Sequence, residues 1–288
     1  MAYLLAIGSA VLYGAADFTG GLTTRRASTI PVVLLSQATG LVLLALLVPL
    51  LPPASPAGAD LLWGAAAGLT GGIGVALLYH ALAIGTMAVV APTTAVCAVA
   101  IPVVVSVLLG ERPLPLAVAG IALGMISIVL VSQQQGGAQL QPAGPVAPHS
   151  RPSGVGTALA SGVAIGLFLL SLAQAGPDAG MWPLLAARTV STTLFGVMAI
   201  AGRRSLAMPT RVTALVVVAG VMDMLANALY LLATRAGALS IVVTLSSLYP
   251  ASTVLLARVV LGERLRPLQV TGVGCALAAV VLIVSAGR

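Results

Sequence analysis

The sequence predicts an all-α membrane protein with ten transmembrane helices, set out as two five-helix repeats of inverted topology. Three observations predict it. Of the 288 residues, 59% are hydrophobic and only 7% charged, whereas a soluble domain carries about a quarter charged residues and needs them to face water. The apolar residues fall in runs of about 20, the length that crosses roughly 30 Å of hydrocarbon. A single gapless offset of 152 positions lays one half of the chain on the other.

The runs can be taken in order. The first, Tyr3 to Gly21, ends at Thr23-Thr24-Arg25-Arg26, and the second, Ile30 to Leu51, ends at Pro52-Pro53. The third, Leu61 to Ala83, is joined by Ile84-Gly85-Thr86 to the fourth, Met87 to Leu109. Gly110-Glu111-Arg112-Pro113 separates that from the fifth, Leu114 to Ser132. Residues 133–154 are rich in Gln, Pro and Gly. They read as a flexible connection between a first repeat at 1–132 and a second at 155–288. The second repeat follows the same plan: Val155 to Ala175, Met181 to Ala201, Val212 to Arg235, Ala238 to Leu261 and Leu268 to Ala286. No run alternates as a membrane barrel strand would. The N-terminus lacks a basic region ahead of its apolar run, so the first run is expected to remain as a helix.

The offset pairs Glu111 with Glu263, Gly14 with Gly166, Pro31 with Pro183, Gly68 with Gly220 and Gly120 with Gly272. Five is odd, so the second copy must cross in the opposite sense to the first. Inverted repeats of this kind occur in secondary transporters, which hold substrate near the midplane between the halves.

The net charge is +7 and all 13 basic residues are arginine. They are scattered among the loops with no stripe or recognition motif, which argues against nucleic acid and for anchoring helix ends in a lipid bilayer. Cys97 and Cys275 sit singly in apolar runs and imply neither a disulfide nor a metal site. No metal constellation, nucleotide loop or catalytic triad is visible, and no cofactor is expected. Arg25, Arg26, Arg151, Arg203, Arg204, Arg211, Arg264 and Arg266 share one side. By the positive-inside rule, that side is cytoplasmic and the termini lie outside.

Segment 244–264 has a serine-rich turn, Pro250 within the helix, then Leu261-Gly262-Glu263-Arg264, followed by Pro267 and Gly272. The first half carries Leu109-Gly110-Glu111-Arg112 and Gly120, and Arg188 lies five residues after Pro183. On these residues the chain resembles the drug/metabolite transporter superfamily, EamA type, over nearly its whole length. The resemblance implies ten helices, residence in the cell membrane (for a bacterium, the inner membrane), and export or import of small metabolites or drugs, with export the direction taken. It also implies termini inside, against the charge count. The halves depart from each other: Ala98 stands opposite Pro250, and Ser36 opposite Arg188.

Within the Gly-Glu-Arg junctions, Gly suits the left-handed residue after a helix, and Glu stands before the next helix, where its charge meets the dipole. Glycines 64, 68 and 72 share a face and favour close helix packing. Buried ionisable groups carry more information. Asp223 lies mid-way along the eighth helix, where a charge costs about 2.5–3.5 kcal/mol. Asn227 and Tyr230 follow on its face. These three are candidate substrate or proton contacts, with Arg188 as counter-charge. Tyr13 with Asp17 four residues on, Tyr79 with His80, and Tyr249 beside Pro250 complete the candidate substrate-binding set. With only 3% aromatic residues, a large aromatic cage is not expected.

These features favour a secondary active transporter of small organic solutes, not an enzyme, with protons as a coupling ion and a monomeric or homodimeric state. A lipid or sugar-lipid flippase is the alternative within transport. An intramembrane enzyme would need a nucleophile with a base, or clustered His and carboxylates, at depth. The chain has two histidines, and one is in the linker.

Overall fold

A mean helix of this chain has no polar face to give to water, so its helices pack on one another and on lipid. The computed structural model describes residues 1–51, 53–108, 110, 114–132, 154–236, 242, 245–265 and 267–286. Among them are ten α-helices and no strand: α1 (Ala2–Thr24), α2 (Thr29–Leu47), α3 (Gly58–Ile84), α4 (Met87–Leu108), α5 (Pro115–Ser132), α6 (Val155–Ala173), α7 (Trp182–Ala201), α8 (Thr210–Ala236), α9 (Tyr249–Leu261) and α10 (Pro267–Ala286). Seven of these are long and apolar enough to cross a membrane; α4, α5 and α9 contribute shorter apolar stretches. Residues 133–153 of the expected connection, and Glu111, lie outside the described residues.

Residues 237–241 and 243–244 lie outside the described residues. Within the expected ninth run, Ala238 to Leu261, the described residues Val242, Leu245 and Ser246 are helical, a turn falls at Ser247 and Leu248, and α9 follows from Tyr249. Pro250 falls in its first turn, where the missing N–H costs nothing. Deeper in a helix the ring would clash with the preceding turn. In the first repeat the equivalent position is Ala98, and α4 runs continuously with Pro92 and Pro102 inside it.

The two halves are related in space as well as in sequence. Helix α1 packs on α8 as α6 packs on α3, α1 on α9 as α6 on α4, and α2 on α8 as α7 on α3. Single hydrogen bonds obey the same exchange. Ser9 Oγ donates to the Ala226 carbonyl (2.9 Å) and Ser161 Oγ to the Gly74 carbonyl (2.8 Å). Thr94 Oγ1 donates to Ala158 O (3.1 Å) and Ser246 Oγ to Ala6 O (3.4 Å). In both pairs each atom lies 152 positions from its counterpart, so the pseudo-two-fold relation holds at the level of side-chain contacts. The chain therefore has the two-repeat architecture, with each repeat completing the other's core.

The glycine row of α3 is where the repeats come closest. A Cβ at Gly64 or Gly68 would lie 2.3 Å from the carbonyl oxygen of Pro183 or Ala187 of α7. Because the obstruction is backbone, the helices would have to separate. Overpacking of this kind costs about 1–3 kcal/mol. Gly68→Val is accordingly expected to lower the unfolding temperature in detergent, whereas Gly274→Val, in α10 with open space around it, should leave it close to wild type. Equal behaviour of the two variants would refute the close approach.

The repeated junction behaves differently from its sequence reading in one respect. Gly262 does close α9 in the left-handed region, at φ 65°. The Glu263 carboxylate, however, meets the start of α4 in the other repeat and not the start of its own next helix. It accepts from the N–H groups of Met87 (3.2 Å) and Ala88 (3.1 Å) and from Arg25 (3.5 Å). Arg25 also donates to Leu82 O and Gly85 O at the end of α3, at 3.2 Å each. One carboxylate thus neutralises a helix N-terminus while one guanidinium satisfies a helix C-terminus. The loops α1–α2, α3–α4 and α9–α10 are gathered on one face. On the opposite face Asp60 accepts from Ala57 N and Gly176 N, both at 2.8 Å.

Candidate substrate-binding site

Polar side chains in the middle of apolar helices have nowhere to go except toward one another. Arg188 of α7 points between α2 and α8. Its guanidinium donates through Nη1 to Gln37 Oε1 and through Nη2 to Asp223 Oδ2. The pair is largely buried, with side-chain exposures of 12% for Arg188 and 23% for Asp223, and Gln37 is 4% exposed. A planar donor fork held by an amide on one side and a carboxylate on the other is fixed in direction.

Helix α1 brings two more groups. Tyr13 and Asp17 are one turn apart on the face turned toward this pair, and both are half-buried. Asp17 lies close enough to Asp223 for the two charges to repel. Tyr13 lies in the field of Asp223, Arg188, Tyr230 and Asp17. Its ring meets that of Tyr249 edge to face, with centroids 6.2 Å apart. Tyr79 of α3 is 3% exposed and lies in the field of Asp223 and Asp17. Its ring lies on Gly20 of α1, where a Cβ would come within 2.1 Å of it. That glycine lets α1 sit low enough to present Asp17 to the centre.

Most of the sequence-predicted residues converge: Tyr13, Asp17, Tyr79, Arg188, Asp223, Tyr230 and Tyr249 form one electrostatically connected group. Two do not behave as the sequence suggests. His80 is exposed because Tyr79 takes the inward direction, and adjacent residues on a helix point about 100° apart. Asn227 shares the face of Asp223 but donates from Nδ2 to the Asp223 backbone carbonyl at 2.8 Å. It closes a local i to i−4 bond and does not orient the carboxylate. The low aromatic content also misleads, since four of the five tyrosines are gathered here. Sequence reasoning missed Gln37, which holds Arg188. An amide in the apolar run of α2 is a legible signal, but it carries no charge and so drew no attention beside the ionisable groups.

The charges do not balance evenly. Arg188 is committed to Asp223 and Gln37. Asp17 makes no hydrogen bond or ion pair with any described residue, so the group carries one uncommitted carboxylate, flanked by tyrosine rings. The chemistry also breaks the repeat. The counterpart of Asp17 is Leu169, of Asp223 Gly71, of Arg188 Ser36 and of Tyr249 Cys97.

The family model described as the EamA-like transporter family matches the chain twice, over residues 1–133 and 152–285. Among solved structures, one described only as a crystal structure of a protein has the same fold, with a TM-score of 0.60 and 17% identity. That match covers 98% of this chain and 95% of the other. No curated protein matches.

Proposed function

Because this chain belongs to the EamA-like transporter family and is a multi-pass membrane protein, we propose that it is a secondary active transporter exporting a small organic solute across the cell membrane by alternating access. The observation that carries the reading is the central polar group. It is built jointly by α1, α2 and α3 of the first repeat and α7, α8 and α9 of the second. A site shared by two pseudo-symmetric halves opens to either side as one half rocks on the other. Arg188, held by Gln37 and Asp223, supplies a fixed positive contact. Asp17 supplies a carboxylate available to a proton or to a cationic group of the solute. Tyr13, Tyr79 and Tyr249 supply rings that bury the solute's apolar part.

The test is transport in proteoliposomes against a metabolite panel, with and without an imposed pH gradient. The expected result is a solute that accumulates only under the gradient. Accumulation that is indifferent to the gradient would remove protons from the proposal. Flux unchanged by altering both Asp17 and Arg188 would remove the site.

Ten crossings also require the start of α1 and the end of α10 to lie on the same face. Reporters fused at the two ends are expected to agree, and opposite readings would refute ten crossings.

A further inference from the structure

On the face that carries Arg25 and Glu263, a separate cavity of about 450 Å³ lies between the α1–α2 and α7–α8 loops, lined by Arg26, Ser28, Arg203, Arg204, Ser205 and Met208 among others. We propose that this cavity holds the phosphate headgroup of an anionic phospholipid from the surrounding leaflet. Three guanidiniums border it, and none makes a hydrogen bond or ion pair with a described residue. Asp60, Asp223 and Glu263 are engaged elsewhere. Guanidiniums that border one cavity without a counter-charge repel one another, and the oxygens of a phosphate are what such donor forks match.

Two further features aim at the same anion. Ser28 is the N-cap of α2, yet its side chain makes no capping bond. Ser28 lines the cavity, so its hydroxyl and the positive end of the helix are available there. At the end of α7 the chain turns through Arg203 at φ 46°, the one described non-glycine residue in the left-handed region. The turn is closed by the bond from Arg204 N to Ala199 O at 2.8 Å. Glycine would adopt that turn without strain, and here the strained position carries a guanidinium at the rim. Strain at a ligand contact is a recurrent pairing.

A lipid fits better than a free anion because of what lies below the rim. Val197, Ile200 and Leu206 are 59%, 80% and 54% exposed. Val197 and Ile200 lie in the last turns of α7 before Arg203, and Leu206 follows in the α7–α8 loop, so exposed apolar side chains for an acyl chain adjoin the arginines along the sequence. Basic pockets at the membrane interface between helices bind anionic headgroups in this way.

The experiment uses the full-length protein, delipidated in a neutral detergent. Thermal unfolding is followed as phosphatidylglycerol, phosphatidylcholine or inorganic phosphate is added, and native mass spectrometry counts retained lipid. Phosphatidylglycerol is expected to stabilise the wild type well beyond phosphatidylcholine. The pair Arg203→Gly and Arg204→Gln should weaken that effect about twenty-fivefold, at about fivefold per arginine. Arg264→Gln, the same charge lost outside the cavity, should not. Because Arg203→Gly also relieves the left-handed turn, the double variant should fold; Arg26→Gln alone, with an expected fivefold loss, provides a second test. Equal stabilisation by the two lipids, or an undiminished effect in the variants, overturns the proposal. Full stabilisation by inorganic phosphate overturns the lipid as source and assigns the cavity to a soluble phosphorylated compound.

Discussion

Replacing Asp17 by asparagine is expected to abolish gradient-driven accumulation while leaving the fold intact. Asparagine keeps the size of the side chain and its capacity for hydrogen bonding but cannot ionise. Asp17 has no ion pair or hydrogen bond among the described residues, so its replacement orphans no partner and the structural cost is small. Its loss falls on whatever transiently occupies the carboxylate. With one proton coupled per solute, a gradient of one pH unit sustains about a tenfold accumulation, since each unit is worth about 1.4 kcal/mol. In Asp17→Asn that ratio should fall to about one. If Asp17 carries only the proton, solute exchange without a gradient survives; if it also holds a cationic group, exchange is lost as well. Wild-type accumulation in this variant would exclude Asp17 from the mechanism.

Replacing Arg188 by alanine should instead strike at stability. The guanidinium is the shared partner of Asp223 and Gln37, and its removal leaves an uncompensated carboxylate between helices. Breaking a buried pair from one side costs about 3–5 kcal/mol. The lower end applies here, about 3 kcal/mol, because the Asp223 side chain keeps 23% of its surface. The double variant Arg188→Met with Asp223→Leu removes both charges and should recover most of that loss while remaining inactive in transport. A single variant as stable as wild type would show that the pair contributes no structure. A double variant that transports would show that it contributes no function.

The two results separate roles that the sequence had merged. From sequence, Asp223 is the conspicuous residue because it is the carboxylate nearest the middle of a span. The structure gives it a fixed counter-charge and leaves Asp17 uncommitted, although Asp17 lies nearer a helix end. Pairing across helices is a tertiary fact, and no spacing along the chain encodes it. The same holds for Glu263, whose partners at Met87 and Ala88 lie in the other half of the molecule. What was legible was whatever depends on local chemistry or on repetition. Outside the ninth run, the apolar runs match the helices to within a few residues, because lipid admits little else. The 152-residue offset anticipated the repeat, and the structure shows which helices exchange partners across it. The glycine face of α3 anticipated a close helix contact, and the structure supplies α7 as the partner. His80 was misplaced because a residue adjacent to an inward one shares its depth but not its direction.

The pairing of a symmetric frame with non-equivalent side chains has an energetic consequence. Two identical halves would give two mirror-image end states of equal free energy, populated equally at rest. Here the exchange of halves would have to map Asp17 onto Leu169 and Arg25 onto Pro177, so the degeneracy is lifted. The contacts of Arg25 with Glu263 and with the end of α3 have no equivalent, because proline at 177 carries no guanidinium. If they hold in one end state only and contribute about 1.4 kcal/mol there, that state is favoured tenfold. On the proposed alternating-access mechanism, the idle protein would then wait with one side open. Turnover would then depend on solute or proton binding offsetting that bias, and a single substitution remote from the site, at Arg25 or Glu263, is expected to reset the waiting state and with it the apparent affinity measured from each side of the membrane.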